Sequence, residues 1–337
     1  MKPPNVVRAD VVVITALSFP GGNAGSTQAE LDWLLSRGLE IAIINLSATG
    51  AKETPHERWA SYAKYIADVE QFERFEADVV IVRHPRVVTS PGFKDLSQRL
   101  DTKQMYVVIN NSMHRPNGEI VYQRSELVAA ARLVSAQQIT ICPISPMIRK
   151  ELMGLSEGSG LELSEDDWAP AFEVEQYWAE PKPRLKPPFR IGRHGRDGPE
   201  KWIEKASDLL AAYPATTDFR VSILGGAETV EERMGFLPEN WEVQDFDVQA
   251  VKSFIASLDA FVYFPHSGLN EAFGRTIVEA MLASVPVILP PQFSSVFGSL
   301  AFYCRPTGVA PIIRRLAIDD MSRVRFLEEV QEVAKHR

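Results

Sequence analysis

Only two cysteines occur in the 337 residues, and neither stands at metal-ligand spacing from a second soft ligand. This excludes a disulfide framework and the usual cysteine-based zinc sites. Cys142 and Cys304 each lie in an apolar run, ITICPIS and LAFYCRP, where a buried free thiol is expected. No apolar run approaches the ~20 residues of a membrane span, and the start MKPPNVVRAD lacks the basic and apolar regions of a secretory signal. A cytoplasmic protein is the expectation. Basic charge is not in excess either: 36 Lys and Arg stand against 44 Asp and Glu, a net charge of -8, which argues against a nucleic-acid partner. The balance is uneven, with 17 basic against 15 acidic residues in 1–150 and 19 against 29 in the remainder. The N-terminal half is therefore the one to face an anionic acceptor, or the inner face of a membrane as a peripheral contact.

What is present is an ordinary globular composition, 45% hydrophobic and 24% charged, on a chain long enough for two domains. Short β-branched runs alternate with amphipathic stretches. In the first half, 10–17, 40–46, 77–82, 105–110 and 138–145 read as strands, and 28–36, 57–72, 119–134 and 146–153 as helices. A segment with prolines at 181, 183, 187 and 188 resists both helix and sheet. The alternation then resumes, with strands expected at 189–192, 219–224, 241–246, 260–265, 286–290 and 300–305, and helices at 201–213, 248–258, 275–283 and 309–317. The expected plan is α/β, two Rossmann-like doubly wound domains facing a central cleft: residues 1–178, a Pro-rich linker 179–188, residues 189–320, and a C-terminal helix 321–337.

The sharpest local feature is NEAFGRTIVEAM, residues 270–281. Glu271 precedes a helix expected to start near Gly274, and Glu279 lies inside it. Unpaired first-turn N–H groups carry the positive end of the helix dipole, so Gly274, Arg275 and Thr276 are placed to receive a diphosphate. Phe273 closes the loop before them. The flanking carboxylates are suited to sugar and ribose hydroxyls, and the apolar neighbours of Glu279 make an idle surface position a poor explanation for it. In IGRHGRDGPEKW, residues 191–202, Arg193, Arg196 and Lys201 cluster on a Gly-rich turn at a sheet edge, where cations can neutralise a leaving diphosphate. FPGGNAGS, residues 19–26, is a second Gly-rich turn, with Gly22 able to approach a phosphate or sugar closely. Asp245-Phe246-Asp247 resembles a cation-binding Asp-x-Asp, but Asp247 is better placed to cap a helix starting near Val248. No metal is expected.

FPGGNAGSTQAELDWLLSRGLEIAIINL, IGRHGRDGPEKW and NEAFGRTIVEAMLASVPVILP, in this order, resemble family 4 of the retaining GT-B glycosyltransferases over most of the chain. The resemblance implies a nucleotide-sugar donor, UDP- or GDP-linked, held by the C-terminal half as a substrate, with no separate cofactor. It also implies a glycan, lipid-linked or small-molecule acceptor on the N-terminal half and metal-independent transfer with retention. Arg193 and Lys201 match the diphosphate pair, Glu271 the residue facing the donor sugar, and Glu279 the ribose-holding residue. Gly274 and Arg275 match the phosphate cradle, Gly22 the N-terminal glycine loop, and 243–246, with Phe246, the segment flanking the base. Many relatives carry a histidine after the strand equivalent to 105–110. Here that place reads VVINNSMH, which leaves His114 as the nearest candidate and His84, after another strand edge, as the other. An epimerase- or phosphorylase-like enzyme of the same fold and a degenerate binding module are the alternatives. The lysine a phosphorylase would need for pyridoxal phosphate is not identifiable.

Overall fold

The computed structural model describes residues 5–18, 21–49, 53–247 and 250–334, which form two compact units. The first comprises Met1–Phe172 with Asn270–Phe273, and the second Glu173–Leu269 with Gly274–Arg337. The proline-bearing segment 179–188 belongs to the second unit. Its Leu185 enters that unit's core, and the Lys182 ammonium bonds Ser257 O and Asp259 Oδ1 at 2.7 and 2.8 Å.

In the first unit, β1 (Val6–Thr15), β2 (Ile41–Asn45), β3 (Ile66–Ala67), β4 (Arg74–Arg83), β5 (Leu100–Ile109), β6 (Ser135–Pro143) and β7 (Glu162–Leu163) form one sheet. Its order is β3-β2-β1-β4-β5-β6-β7, and every pairing is parallel. A parallel sheet is covered on both faces, which is why β1 reads as an unbroken apolar run: Val12, Val13 and Ile14 are fully buried. Helix Gly22–Ser36 covers part of it with Ala24, Thr27, Leu31 and Leu34, the stripe that 3.6-residue periodicity predicts. Residues 57–72 do not form the expected helix. Glu57–Tyr65 is a run of 3₁₀ turns capped by His56 Nδ1, and Ile66–Ala67 is drawn into the sheet beside Ile43 and Ile44. The short helices Pro85–Val88 and Pro91–Ser97 were not anticipated, although proline at a first helical position and Ser90 as cap mark the second.

The second unit repeats the plan with β8 (Phe189–His194), β9 (Phe219–Leu224), β10 (Trp241–Gln244), β11 (Ala260–Val262), β12 (Val287–Leu289) and β13 (Phe302–Tyr303). Its order is β10-β9-β8-β11-β12-β13, again parallel. Phe189, Ile191, Phe219, Val221, Val262 and Ile288 belong to its core, with Trp202, Tyr213 and Trp241 packed on one face. The helix after β10 spans Val251–Ser257 with Ala250 as N-cap and no side-chain cap. The carbonyl of Asp247 accepts from Ala250 N, and its expected capping of a helix start near Val248 falls on residues 248–249, which lie outside the described set. Cys142 is buried in β6, whereas Cys304 is half-buried just beyond β13. Burial pushes the two thiols up, to about 12 and about 11.

Candidate functional site

In an open parallel sheet, a ligand crevice forms where successive strands turn to opposite sides, beyond their C-terminal ends. In the second sheet that point lies between β8 and β11. The end of β8 carries Arg193 and His194, and the chain leaving β11 leads to helix Arg275–Leu282. Strand alternation sends the two β8 side chains to opposite faces.

Arg193 was expected on a turn; it is a strand residue, 2% exposed. Its guanidinium lies 4.3 Å from the Trp202 ring centroid and 4.9 Å from that of Tyr263, and Nη1 donates to Lys201 O. Such stacking holds a planar cation in place and lets it act as a fixed charge. Lys201 ends the 3₁₀ turn Pro199–Lys201 and is half-buried, while Arg196 is exposed and paired with Glu200 at 2.7 Å. Asp197 ties the turn down. Its carboxylate accepts from Trp202 Nε1 at 2.6 Å and from Thr229 N and Oγ1 at 2.8 Å each. Burial raises its pKa, but the bonds from Thr229, Trp202 and Gly198 outweigh that and hold it below the ordinary carboxylate value.

Gly274 opens the helix with φ +83°, and a Cβ there would meet Ile277 Cδ1 at 2.7 Å. The left-handed φ is what calls for glycine, since the Ile277 methyl, at the far end of a flexible side chain, can move aside. A Cβ on Gly195 would stand 3.9 Å from Thr276 Cγ2, so the turn after β8 and the helix start adjoin. Glu279 is buried on the helix, its Oε1 accepting from Arg275 Nε at 3.0 Å and its Oε2 lying 3.1 Å from His194 Nε2. Tyr177 is its third neighbour. Burial works to raise the Glu279 pKa, yet His194, Arg275 and the Tyr177 hydroxyl together keep it below the usual value. Burial, then the nearby Glu279 charge, push the Tyr177 hydroxyl up to about 12. His194, Tyr177 and Asp197 had not been singled out from the sequence. For His194 a signal existed, because the residue after an inward-facing strand cation must face the other layer.

Phe246 follows β10 and is 49% exposed. Glu271 and Phe273 fall in the segment that groups with the first unit, where Asn270 Nδ2 donates to Glu151 Oε1 at 2.9 Å and Phe273 lies 6.2 Å from Phe172.

In the first sheet the change of direction lies between β1 and β4. Gly22 is the first residue of the helix after β1, with Gly21 as N-cap, while Phe19 and Pro20 lie outside the described residues. His84 directly follows β4. It has φ 137° and ψ 130°, caps helix Pro85–Val88 by accepting from Arg86 N at Nδ1, and has Nε2 3.1 Å from the Asn111 side-chain amide. The atom placed against Nε2 is Asn111 Nδ2; an accepting Nδ1 leaves the proton of a neutral ring on Nε2, and that proton is satisfied once the Asn111 amide is turned oxygen-first. His114 is exposed, bridged to Ile120 one strand further along. Among the described residues no group of three or more His, Cys, Asp or Glu is arranged to hold a metal, and no helix is long and apolar enough to cross a membrane.

Comparison with solved structures decides the architecture. Anabaena HepE in complex with UDP-glucose matches over 98% of this chain and 95% of its own, with TM-score 0.66 at 14% identity. An alpha-glucosyltransferase in complex with UDP and a 13-mer DNA containing an HMU base matches over 97% and 95%, with TM-score 0.62 at 12% identity. The fold is GT-B. No protein-family model matches the sequence. A GDP-mannose-dependent alpha-mannosyltransferase of Mycolicibacterium smegmatis is 34% identical over 100 residues, which span 30% of this chain and 25% of that relative. Within the GT-B plan, the β8 end and helix Arg275–Leu282 occupy the switch point of the second sheet, where such a fold has room for a nucleotide.

Proposed function

We propose that the chain is a retaining, metal-independent glycosyltransferase using a nucleotide-sugar donor, with UDP- and GDP-sugars as the first candidates. The observation that carries the reading is the meeting of the turn after β8, with the Arg193 guanidinium beside it, and the start of helix Arg275–Leu282, which bears the buried, charge-compensated Glu279, at the switch point of the second sheet. The diphosphate would lie on the amides at Gly274–Thr276. Lys201 and the fixed charge of Arg193 would stabilise the negative charge that develops as it departs. Glu279 holds the ribose, Phe246 flanks the base, and Glu271 orients the transferred sugar.

Transfer is by front-face displacement. The bond from the anomeric carbon to the diphosphate oxygen breaks while the acceptor oxygen bonds the same face, and the acceptor's proton passes to the departing phosphate oxygen. Charges balance without a covalent enzyme intermediate, so catalysis rests on positioning and electrostatics. The acceptor, a glycan, lipid-linked or small-molecule hydroxyl, is assigned to the first unit, with Gly22 near it. Of the two histidines there, His84 stands at the switch point of its sheet with both ring nitrogens engaged, whereas His114 is one strand removed and exposed. The setting is the cytoplasm, with any membrane contact peripheral.

A thermal-shift screen with UDP-, GDP-, ADP- and dTDP-sugars tests the donor reading. Stabilisation by one of them, lost in Glu279→Ala, is expected; indifference to all four sinks the assignment. The anomeric configuration of the product, read by NMR, then tests retention.

A further inference from the structure

The surroundings of Glu279 form a construction of their own. The carboxylate, with 6% of its side chain exposed, meets partners from three segments: Arg275 one helical turn earlier, His194 at the end of β8, and Tyr177 ahead of β8. One partner would have sufficed to neutralise the charge, and Arg275 supplies it. The other two add direction. His194 is wedged edge-on between Phe261 and Phe254, at 5.8 and 6.4 Å, so its ring has little freedom to turn. Its Nε2 lies 3.1 Å from Oε2, yet neither ring nitrogen is aligned in a regular hydrogen bond. A buried polar group left short of a partner in this way calls for an explanation, and a ligand that completes it is one. An ionised carboxylate offers about four acceptor directions.

We propose that Tyr177, His194 and Arg275 are positioning residues that hold the Glu279 carboxylate at the angle needed to accept a ribose hydroxyl of the donor nucleotide, and that nucleotide affinity is set through them. This rests on the assignment of Glu279 to the ribose. A purely structural ion-pair cluster would have the same partners, so the test must separate the two cases. Calorimetric titrations of the full chain with UDP, GDP and ADP, and with their 2′-deoxy and 3′-deoxy analogues, compare wild type with Tyr177→Phe and Glu279→Gln. Tyr177→Phe should weaken binding of the preferred ribonucleotide about tenfold, because the ligand must then fix the orientation of Glu279 that Tyr177 otherwise holds in advance. For the analogue lacking the hydroxyl that Glu279 holds, the loss should shrink to about twofold or less, because the two changes remove the same interaction. Equal losses for both nucleotides would mean that Tyr177 is merely structural and would overturn the proposal. Wild-type affinity in Glu279→Gln, or no binding of any of the nucleotides, would instead overturn the ribose assignment and the proposal with it. Arg275→Gln, at a partly exposed side chain, provides the same cycle should Tyr177→Phe fold poorly.

Discussion

Lowering the pH should destabilise the protein through His84, by an amount that can be isolated. Burial, and secondarily the charge of Arg86, bring its pKa down from 6.5 to about 4. A base whose folded pKa is depressed stabilises the native state only while neutral. Between pH 6.5 and 4 the unfolded chain binds the extra proton, so the contribution is complete above 6.5 and is lost as pH falls through that window. The full span corresponds to about 3 kcal/mol, an upper value because His84 is only half-buried by surface area. His84→Asn keeps an acceptor where Nδ1 meets Arg86 N, bears the same backbone strain as the histidine, and cannot titrate. Urea denaturation at pH 7 and 4.5 gives the stability of each chain, and taking the difference between chains cancels the titration of other groups. The advantage of wild type over variant should shrink by roughly 2 kcal/mol on acidification. A difference independent of pH, or an imidazole titrating near 6.5 by NMR, would refute the neutral, enclosed ring.

Three further outcomes follow from other contacts. At φ 137° a Cβ is strained, so His84→Gly should be about 1 kcal/mol more stable than His84→Ala in urea, reversing the usual order; Ala being the more stable would show a relaxed backbone in solution. Gly274→Ala should cost about 1–2 kcal/mol in stability and weaken nucleotide binding, since the left-handed start of the helix strains any Cβ and the Ile277 methyl must move to admit it; unchanged binding would remove the helix start from the proposed site. Arg83, 2% exposed and 2.5 Å from Glu30 Oε2, pairs with a carboxylate that also accepts from Trp168 Nε1 at 2.7 Å. Arg83→Met strands that carboxylate and should cost about 3–5 kcal/mol; a cost under about 1 kcal/mol would mean that solvent reaches the pair.

Much of the architecture was readable because buried parallel strands have a strong signature. The runs around Val12, Val80, Val107 and Val221 are β-branched, apolar and bounded by turns, and each became a strand. The helix of Glu279 was readable too, since Gly274 marks its start. Residues 57–72 misled because helical spacing there competes with an open sheet edge, which captured Ile66 and Ala67. Arg193 appeared as a loop cation because its aromatic partners, Trp202 and Tyr263, are contributed by separate segments. Tyr177 escaped notice for a similar reason, lying 102 positions before Glu279 at the end of a four-residue helix, Val174–Tyr177, too short to announce itself by periodicity. Periodicity speaks of faces; it is silent on which faces meet.

Helix Asp320–Ala334 is fastened back onto the chain entering the second unit: Arg323 Nη2 donates to Lys182 O, and Gln331 Nε2 donates to both Ala179 O and Leu282 O. One glutamine thus joins the approach to β8 to the end of the helix that bears Glu279. During synthesis, then, the first unit has nearly all of its chain by Phe172, whereas the second cannot finish packing until residue 331 has left the ribosome. The proposed nucleotide site is thus completed only once residue 331 has emerged, and a nascent chain should not acquire ligand-dependent protease resistance before that point.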